Sequence, residues 1–306
     1  MTQTRGRRDR VSAPAEWKRV ESVGAEPFER SRTLYRLPDG SEYEWESRRH
    51  RKGRGPRKAK GQAAEAAERA PEAGSENPWL EFYAPHRLAW WVAVNFIAGS
   101  ALFTLGASGA LFPGFFGGEG SLVADVSYFT GALLFTIGIY LQVLEGLNSS
   151  DYIGLKRPYN PHGFVWFAWR PRRLEFIAPF ILLIGSLLFN VETSLALAST
   201  FGWISLPVLV GLTSFVGAVG FVVSTYLQLV EVCHSYFGLR PREISWWVAA
   251  LNLVGSAGFL IGSVFGFDVP GLSSPEESLI TQVSFLVGSA LFLAGSYLLL
   301  PEMFSD

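Results

Sequence analysis

Three glutamates stand at matching places in this sequence and are the first candidates for chemistry. Glu145, Glu231 and Glu302 each close a segment with the pattern G-[AS]-x-x-F-x(4)-Y-L-x(3)-E. A ring of carboxylates at the mouth of a membrane protein would attract cations. A basic residue also precedes each repeat, at Arg87, Arg173 and Arg242. Pairing with these arginines would make the glutamates structural, and we regard that as the simpler of two open interpretations.

A dense basic run is the second candidate. It holds eight Lys and Arg residues and no acid: Arg48, Arg49, Arg51, Lys52, Arg54, Arg57, Lys58 and Lys60. Such a run can contact anionic lipids of the inner leaflet, at about 1 kcal/mol per side chain close to the surface. It can equally be a solvated, disordered block of charge. Nucleic acid is not expected, because no aromatic interleaving and no reading module accompany the run.

Other reactive side chains are scarce. Four histidines and the single cysteine, Cys233, have no metal-ligand spacing, so neither a zinc nor a haem site is expected. One cysteine also excludes an intramolecular disulfide. The sequence shows no nucleophile elbow, phosphate loop or pair of catalytic carboxylates. We therefore expect no enzyme activity, no catalytic residues and no cofactor.

Six apolar stretches must position these candidates. Five carry no charge and are long enough to span a bilayer as helix: Leu88 to Phe112, Val126 to Leu144, Leu206 to Val230, Ile244 to Phe267 and Leu279 to Leu300. The sixth, from about Phe176 to Ala198, contains Glu192. We expect Glu192 and Asp125 near the outer ends of their helices, within reach of water. The sequence thus predicts an all-α integral membrane protein with six transmembrane helices.

The basic residues predict the orientation of these helices. Nineteen of the 26 Lys and Arg residues precede Leu88, five lie between Asn148 and Leu174, and two lie between His234 and Ile244. All of them therefore fall on one side of the membrane. Because cationic loops stay in the cytoplasm, we expect both termini to be cytoplasmic and the protein to lie in the plasma membrane.

The helices form three similar hairpins, at 84–148, 173–234 and 243–303. Gly-Ser followed by Phe recurs in the first helix of each hairpin, at Gly99, Gly185 and Gly255. Glycines also recur seven residues apart: Gly99 and Gly106, Gly131 and Gly138, Gly255 and Gly262, Gly288 and Gly295. Each pair lies on one helix face, where small residues let helices pack closely in lipid. A packing role is therefore expected in preference to a glycine-lined pore.

The repeated hairpin resembles the YrhK-like family of small membrane domains. The residues that carry the resemblance are Leu251-Asn252-Leu253-Val254-Gly255-Ser256 and the segment from Phe285 to Leu293. The resemblance implies a two-helix hairpin in three tandem copies. It implies no catalytic residue.

The N-terminal tail, residues 1–78, is polar, and its first 60 residues carry an excess of eight positive charges. Thr33 to Leu37 and Glu42 to Glu46 flank the turn signal Pro38-Asp39-Gly40 and predict a short β-hairpin at 33–46. The remainder is predicted to be mostly disordered. Because one hairpin is marginally stable by itself, a protein partner is a further expectation.

These features favour a scaffold or accessory membrane protein without enzyme activity. The alternative is a channel or transporter that conducts a small solute or ion through the three hairpins. Ion-coupled transport usually needs ionisable groups near the membrane midplane, and none is expected there.

Overall fold

The computed structural model describes residues 13–54, 57–59, 82–149, 163–267 and 273–305. Six long helices dominate it: α2 (Leu88–Leu111), α3 (Gly120–Asn148), α4 (Leu174–Thr200), α5 (Pro207–Cys233), α6 (Ile244–Phe265) and α7 (Ser274–Glu302). All six are apolar and long enough to cross a membrane. The predicted all-α, six-span membrane architecture is confirmed.

The six helices form a closed ring. Each helix packs against its neighbours along the chain, and α2 packs against α7 to close the circle. The most extensive contacts lie within the pairs α2–α3, α4–α5 and α6–α7. Each of these pairs is a hairpin of two consecutive helices; that the hairpins are repeats of one another stays a prediction.

Glycines allow the two helices of each hairpin to touch along their backbones. A Cβ atom built on Gly99 would lie 3.0 Å from the carbonyl oxygen of Gly131. The matching distances are 2.9 Å from Gly185 to Gly217 and 2.8 Å from Gly255 to Gly288. Each of the eight glycines predicted to pack lies at such an inter-helix contact. A larger side chain at these points would push the helices apart.

An N-terminal domain precedes the bundle. It holds an antiparallel sheet in the order β1-β2-β3-β4, made of β1 (Lys18–Val23), β2 (Arg32–Arg36), β3 (Glu42–Glu46) and β4 (Arg57–Ala59). A single-turn helix, α1 (Ser47–Arg51), follows β3 directly. Strands β2 and β3 are the hairpin predicted at 33–46. The tail is thus more ordered between residues 13 and 54 than the prediction of one hairpin allowed.

Aromatic side chains explain why this small domain folds. Trp45 and Tyr35 are buried, and Trp17 packs on Tyr43 with 4.7 Å between ring centroids. Leu37 accepts a 3.0 Å hydrogen bond from Gly40 and donates one of 2.9 Å to Ser41 in the turn. Three or more strands with a shared apolar face are sufficient for a stable sheet, whereas two seldom are.

The domain docks against one end of the bundle. Ala25 and Phe28, in the loop between β1 and β2, pack with Leu174 and Val230 of α4 and α5. Arg173 pairs with Glu29 across 3.2 Å. We call this end of the bundle the domain side and the opposite end the far side.

Candidate functional site

The three recurrent glutamates lie together at the domain side. Glu145, Glu231 and Glu302 occupy the last turns of α3, α5 and α7, where the returning helices converge. Their residues are only 6%, 1% and 0% exposed. Carboxylates this deeply buried require charged or hydrogen-bonding partners.

Helix α1 supplies those partners. Arg48 donates two hydrogen bonds to Glu302, of 2.6 and 3.0 Å, and Lys52 approaches the same carboxylate at 2.9 Å. Arg51 lies between the other two glutamates, 2.5 Å from Glu231 and 3.6 Å from Glu145. Because Arg48, Arg51 and Lys52 are spaced i, i+3 and i+4, one turn of backbone presents all three cations to the bundle.

A fourth carboxylate completes this ion-pair cluster. Glu175, in the first turn of α4, accepts a 3.0 Å hydrogen bond from the hydroxyl of Ser47. The same hydroxyl lies 3.0 Å from Glu231. A hydroxyl has one hydrogen, so Ser47 serves one carboxylate at a time. Ser47 begins α1, and it therefore helps to fix where the helix meets the bundle.

The cations of α1 respond differently to this burial. Desolvation opposes the charge of Arg51, but Glu231 and Glu145 outweigh it and raise the pKa of Arg51. For Lys52 the same desolvation prevails over the attraction of Glu302, and its pKa is lowered. Arg51 is therefore the stronger electrostatic link between the domain and the bundle.

Two expectations from the sequence need correction here. The glutamates do not pair with the arginines ahead of the hairpins: Arg87 donates to the carbonyl of Met303 at 3.0 Å, and Arg173 binds Glu29. The cations at 48, 51 and 52 face carboxylates instead of lipid headgroups. The physical reason is that α1 folds into the mouth of the bundle, where these cations lie within 3.6 Å of buried carboxylates.

The rest of the basic run lies elsewhere. Arg49 and Arg54 line a groove between the domain and the bundle, together with Arg242 and His234. This groove is partly open and has a volume of about 120 Å³. The side chains of Arg57 and Lys58, and all of Lys60, lie outside the described residues. Contact of this run with anionic lipid stays a prediction.

The axis of the bundle is closed by a layer of phenylalanines. One comes from each helix, at corresponding places in the repeats: Phe103, Phe135, Phe189, Phe221, Phe259 and Phe292. Neighbouring rings contact each other with centroids 5.0 to 6.4 Å apart. This Phe layer separates a polar cavity on the domain side from a second cavity on the far side.

The domain-side cavity is lined in part by amides. Gln142 lies 3.5 Å from Gln228, one turn deeper in the bundle than the ion-pair cluster. Asn252 of α6 also lines it, whereas Leu299 takes the third glutamine position. Within the part of the chain that the structure describes, no group of His, Cys, Asp and Glu is arranged to hold a metal ion.

The sequence contains one signal for the α1 contact. The spacing of Arg48, Arg51 and Lys52 matches one face of a helical turn. The local pattern does not identify the partners, because the first of the three glutamates, Glu145, lies 93 residues after Lys52 in the sequence.

No family model, curated protein or solved structure matches this chain. The resemblance of its hairpins to YrhK-like domains therefore stays a prediction.

Proposed function

We propose that this multi-pass membrane protein is a scaffold or accessory protein without enzyme activity, whose bundle holds the N-terminal domain at one face of the membrane. The observation that carries this proposal is the ion-pair cluster. Arg48, Arg51 and Lys52 bury their charges against carboxylates from three helices, so the domain cannot leave without exposing unpaired charge on both surfaces. The Phe layer supports the proposal, because it fills the path that a pore would need.

We place the domain side in the cytoplasm of the cell, with the protein in the plasma membrane. The distribution of Lys and Arg supports this orientation. The groove of Arg49, Arg54 and Arg242 would then face the inner leaflet, where anionic headgroups are concentrated. A protein partner would meet strand β1, whose first four residues are exposed.

A second candidate function is cation conduction with α1 as a plug. Two observations favour it. The Phe layer is the barrier between the two axial cavities, and the carboxylates at the mouth of the bundle are paired with cations of α1. Removing α1 would expose a ring of acids at the mouth of the bundle, which is the chemistry of a cation-selective vestibule.

Ion flux into liposomes distinguishes the two functions. The wild-type protein is compared with the triple variant Arg48→Met, Arg51→Met and Lys52→Met. The control variant is Arg36→Met, which removes one member of an exposed ion pair on the sheet. As a scaffold, all three samples give the flux of empty liposomes. Cation flux in the triple variant alone would refute the scaffold proposal and support the plugged conduit.

A further inference from the structure

At one level of the axis, hairpin two differs from the other two hairpins. Seven residues after the Gly-Ser glycine, the first helices of hairpins one and three carry Gly106 and Gly262, whereas hairpin two carries Glu192. The second helices differ at the facing position. Hairpins one and three place an aromatic ring there, and hairpin two has Ser214. Both members of one contact are thus changed together in a single hairpin.

In the other two hairpins the glycine seats the aromatic ring. A Cβ atom on Gly106 would lie 3.0 Å from the ring of Tyr128, and a Cβ on Gly262 would collide with the ring of Phe285. Hairpin two has neither the glycine nor the ring. Ser214 points its small side chain to Ser263, at 2.9 Å. Position 214 therefore leaves open the space that Tyr128 and Phe285 fill in the other two hairpins.

A cavity lies at this level of the bundle. It is lined by residues of all six helices, and six of its eight lining residues are aromatic: Phe103, Tyr128, Phe189, Phe221, Phe259 and Phe285. Glu192 and Thr193 complete the wall. Four rings form a closed circuit, with centroids 5.9 to 6.4 Å apart between Phe103, Tyr128, Phe285 and Phe259. The cavity is partly open and small, about 40 Å³, which corresponds to about three water molecules, so it suits a ligand of only a few non-hydrogen atoms.

Glu192 adds a carboxylate to the mostly aromatic lining of this cavity. It lies eight residues before the end of α4, about 12 Å inside the helix at 1.5 Å per residue. It therefore lies in the far-side third of the helix, somewhat deeper than the helix end at which the sequence predicted it. Glu192 makes no hydrogen bond or ion pair with any residue that the structure describes. Asp125 nearby, which accepts a hydrogen bond from Thr200, adds negative potential instead of neutralising it.

We propose that this far-side cavity binds a small organic ammonium cation, such as a methylated amine. Aromatic faces attract cations through their quadrupole, and methyl groups of an ammonium ion suit apolar walls. Glu192 supplies the counter-charge. A bare metal ion fits less well, because it needs several oxygen ligands in place of ring carbons. The proposal goes beyond the scaffold function and does not depend on it.

Isothermal titration of the purified full-length protein with tetramethylammonium tests the proposal. The neutral molecule tert-butanol, which has similar bulk, and sodium ion are the comparison ligands. We expect tetramethylammonium to bind at least about tenfold more tightly than either, since the cation–aromatic and carboxylate contacts are both lost with tert-butanol. We expect Glu192→Gln to weaken it about tenfold and Glu119→Gln, an exposed acid on the same side, to leave it unchanged.

The repeat itself provides a second variant. Glu192→Gly combined with Ser214→Phe installs in hairpin two the pair that hairpins one and three already accommodate, so we expect it to fold and to bind no tetramethylammonium. Equal affinity for tert-butanol or sodium would overturn the proposal. So would unchanged affinity in Glu192→Gln or in the double variant. If a variant fails to fold, the comparison of ligands on the wild-type protein decides the matter.

Discussion

Replacing Arg51 with methionine should undock the N-terminal domain from the bundle. Its side chain is 3% exposed and lies between two carboxylates, at 2.5 Å from Glu231 and 3.6 Å from Glu145. Methionine keeps most of the length of the side chain but removes the charge. Glu231 would retain only the shared hydroxyl of Ser47, and Glu145 would lose its ion-pair partner.

The magnitude follows from the burial of the pair. Removing one partner of a buried ion pair costs about 3–5 kcal/mol, because the other charge stays desolvated. An exposed pair costs far less, about 0–1 kcal/mol. Arg36 and Glu42 on the sheet form such a pair, with side chains 51% and 31% exposed, so Arg36→Met is the matched control.

Hydrogen exchange of the protein in detergent measures the undocking. We expect amides of α1 and of the loop containing Ala25 to exchange at least about a hundredfold faster in Arg51→Met, as about 3 kcal/mol implies, and to be unchanged in Arg36→Met. Adding Glu231→Gln and Glu145→Gln to Arg51→Met should restore much of the protection, because the unpaired charges are gone. Protection in Arg51→Met equal to wild type would refute the electrostatic account of docking.

The other predictions concern Lys52, the hairpin glycines and the orientation. Burial lowers the pKa of Lys52 below its value of 10.5 in the unfolded chain, so protonation of Lys52 disfavours the folded state. The thermal stability of the wild-type protein relative to Lys52→Met should therefore increase as the pH rises toward 10.5. At neutral pH, Lys52→Met should cost less than Arg51→Met, since Arg48 still pairs with Glu302; an equal loss would contradict this. Gly255→Ala should lower the free energy of unfolding by about 1–3 kcal/mol, because the new Cβ would lie 2.7 Å from the ring of Phe292. Gly220→Ala is the control: its Cβ would lie no closer than 3.5 Å to any other atom, so this variant should be neutral or stabilising. In a Cys233→Ser background, impermeant thiol reagents should label cysteines on the far side and spare those on the domain side; the far-side positions are Gly118, Ser205 and Ser274, and the domain-side positions are Ser149 and Ser235. The reverse labelling would disprove the orientation.

The spans and the hairpins follow from the sequence alone. About 20 uncharged apolar residues cannot remain in water or form an open sheet in lipid, so helix is the only outcome for each stretch. Glycine and phenylalanine recurring at the same offsets in three segments predicted the packing of the helix pairs, since small residues are what close packing in lipid can use. The hairpin at 33–46 was visible too, because its turn residues stand between alternating strands.

The partners of the charges were decided only by the tertiary structure. A basic run such as Arg48 to Lys52 has the same local pattern whether it meets lipid, water or protein, and its partners Glu145, Glu231 and Glu302 are distant in sequence. The choice depends on the fold of the sheet, which delivers α1 to the mouth of the bundle. There the low dielectric makes ion pairing the strongest available contact.

The position of Glu192 shows the same division. The sequence located one acid in a span and predicted that it would lie near water. The structure places it beside an axial cavity, because helix α4 continues to Thr200 and because Ser214 carries no ring where the other hairpins have Tyr128 and Phe285. Which side chains surround this carboxylate depends on six helices meeting at one level, and no single segment of the chain contains that information.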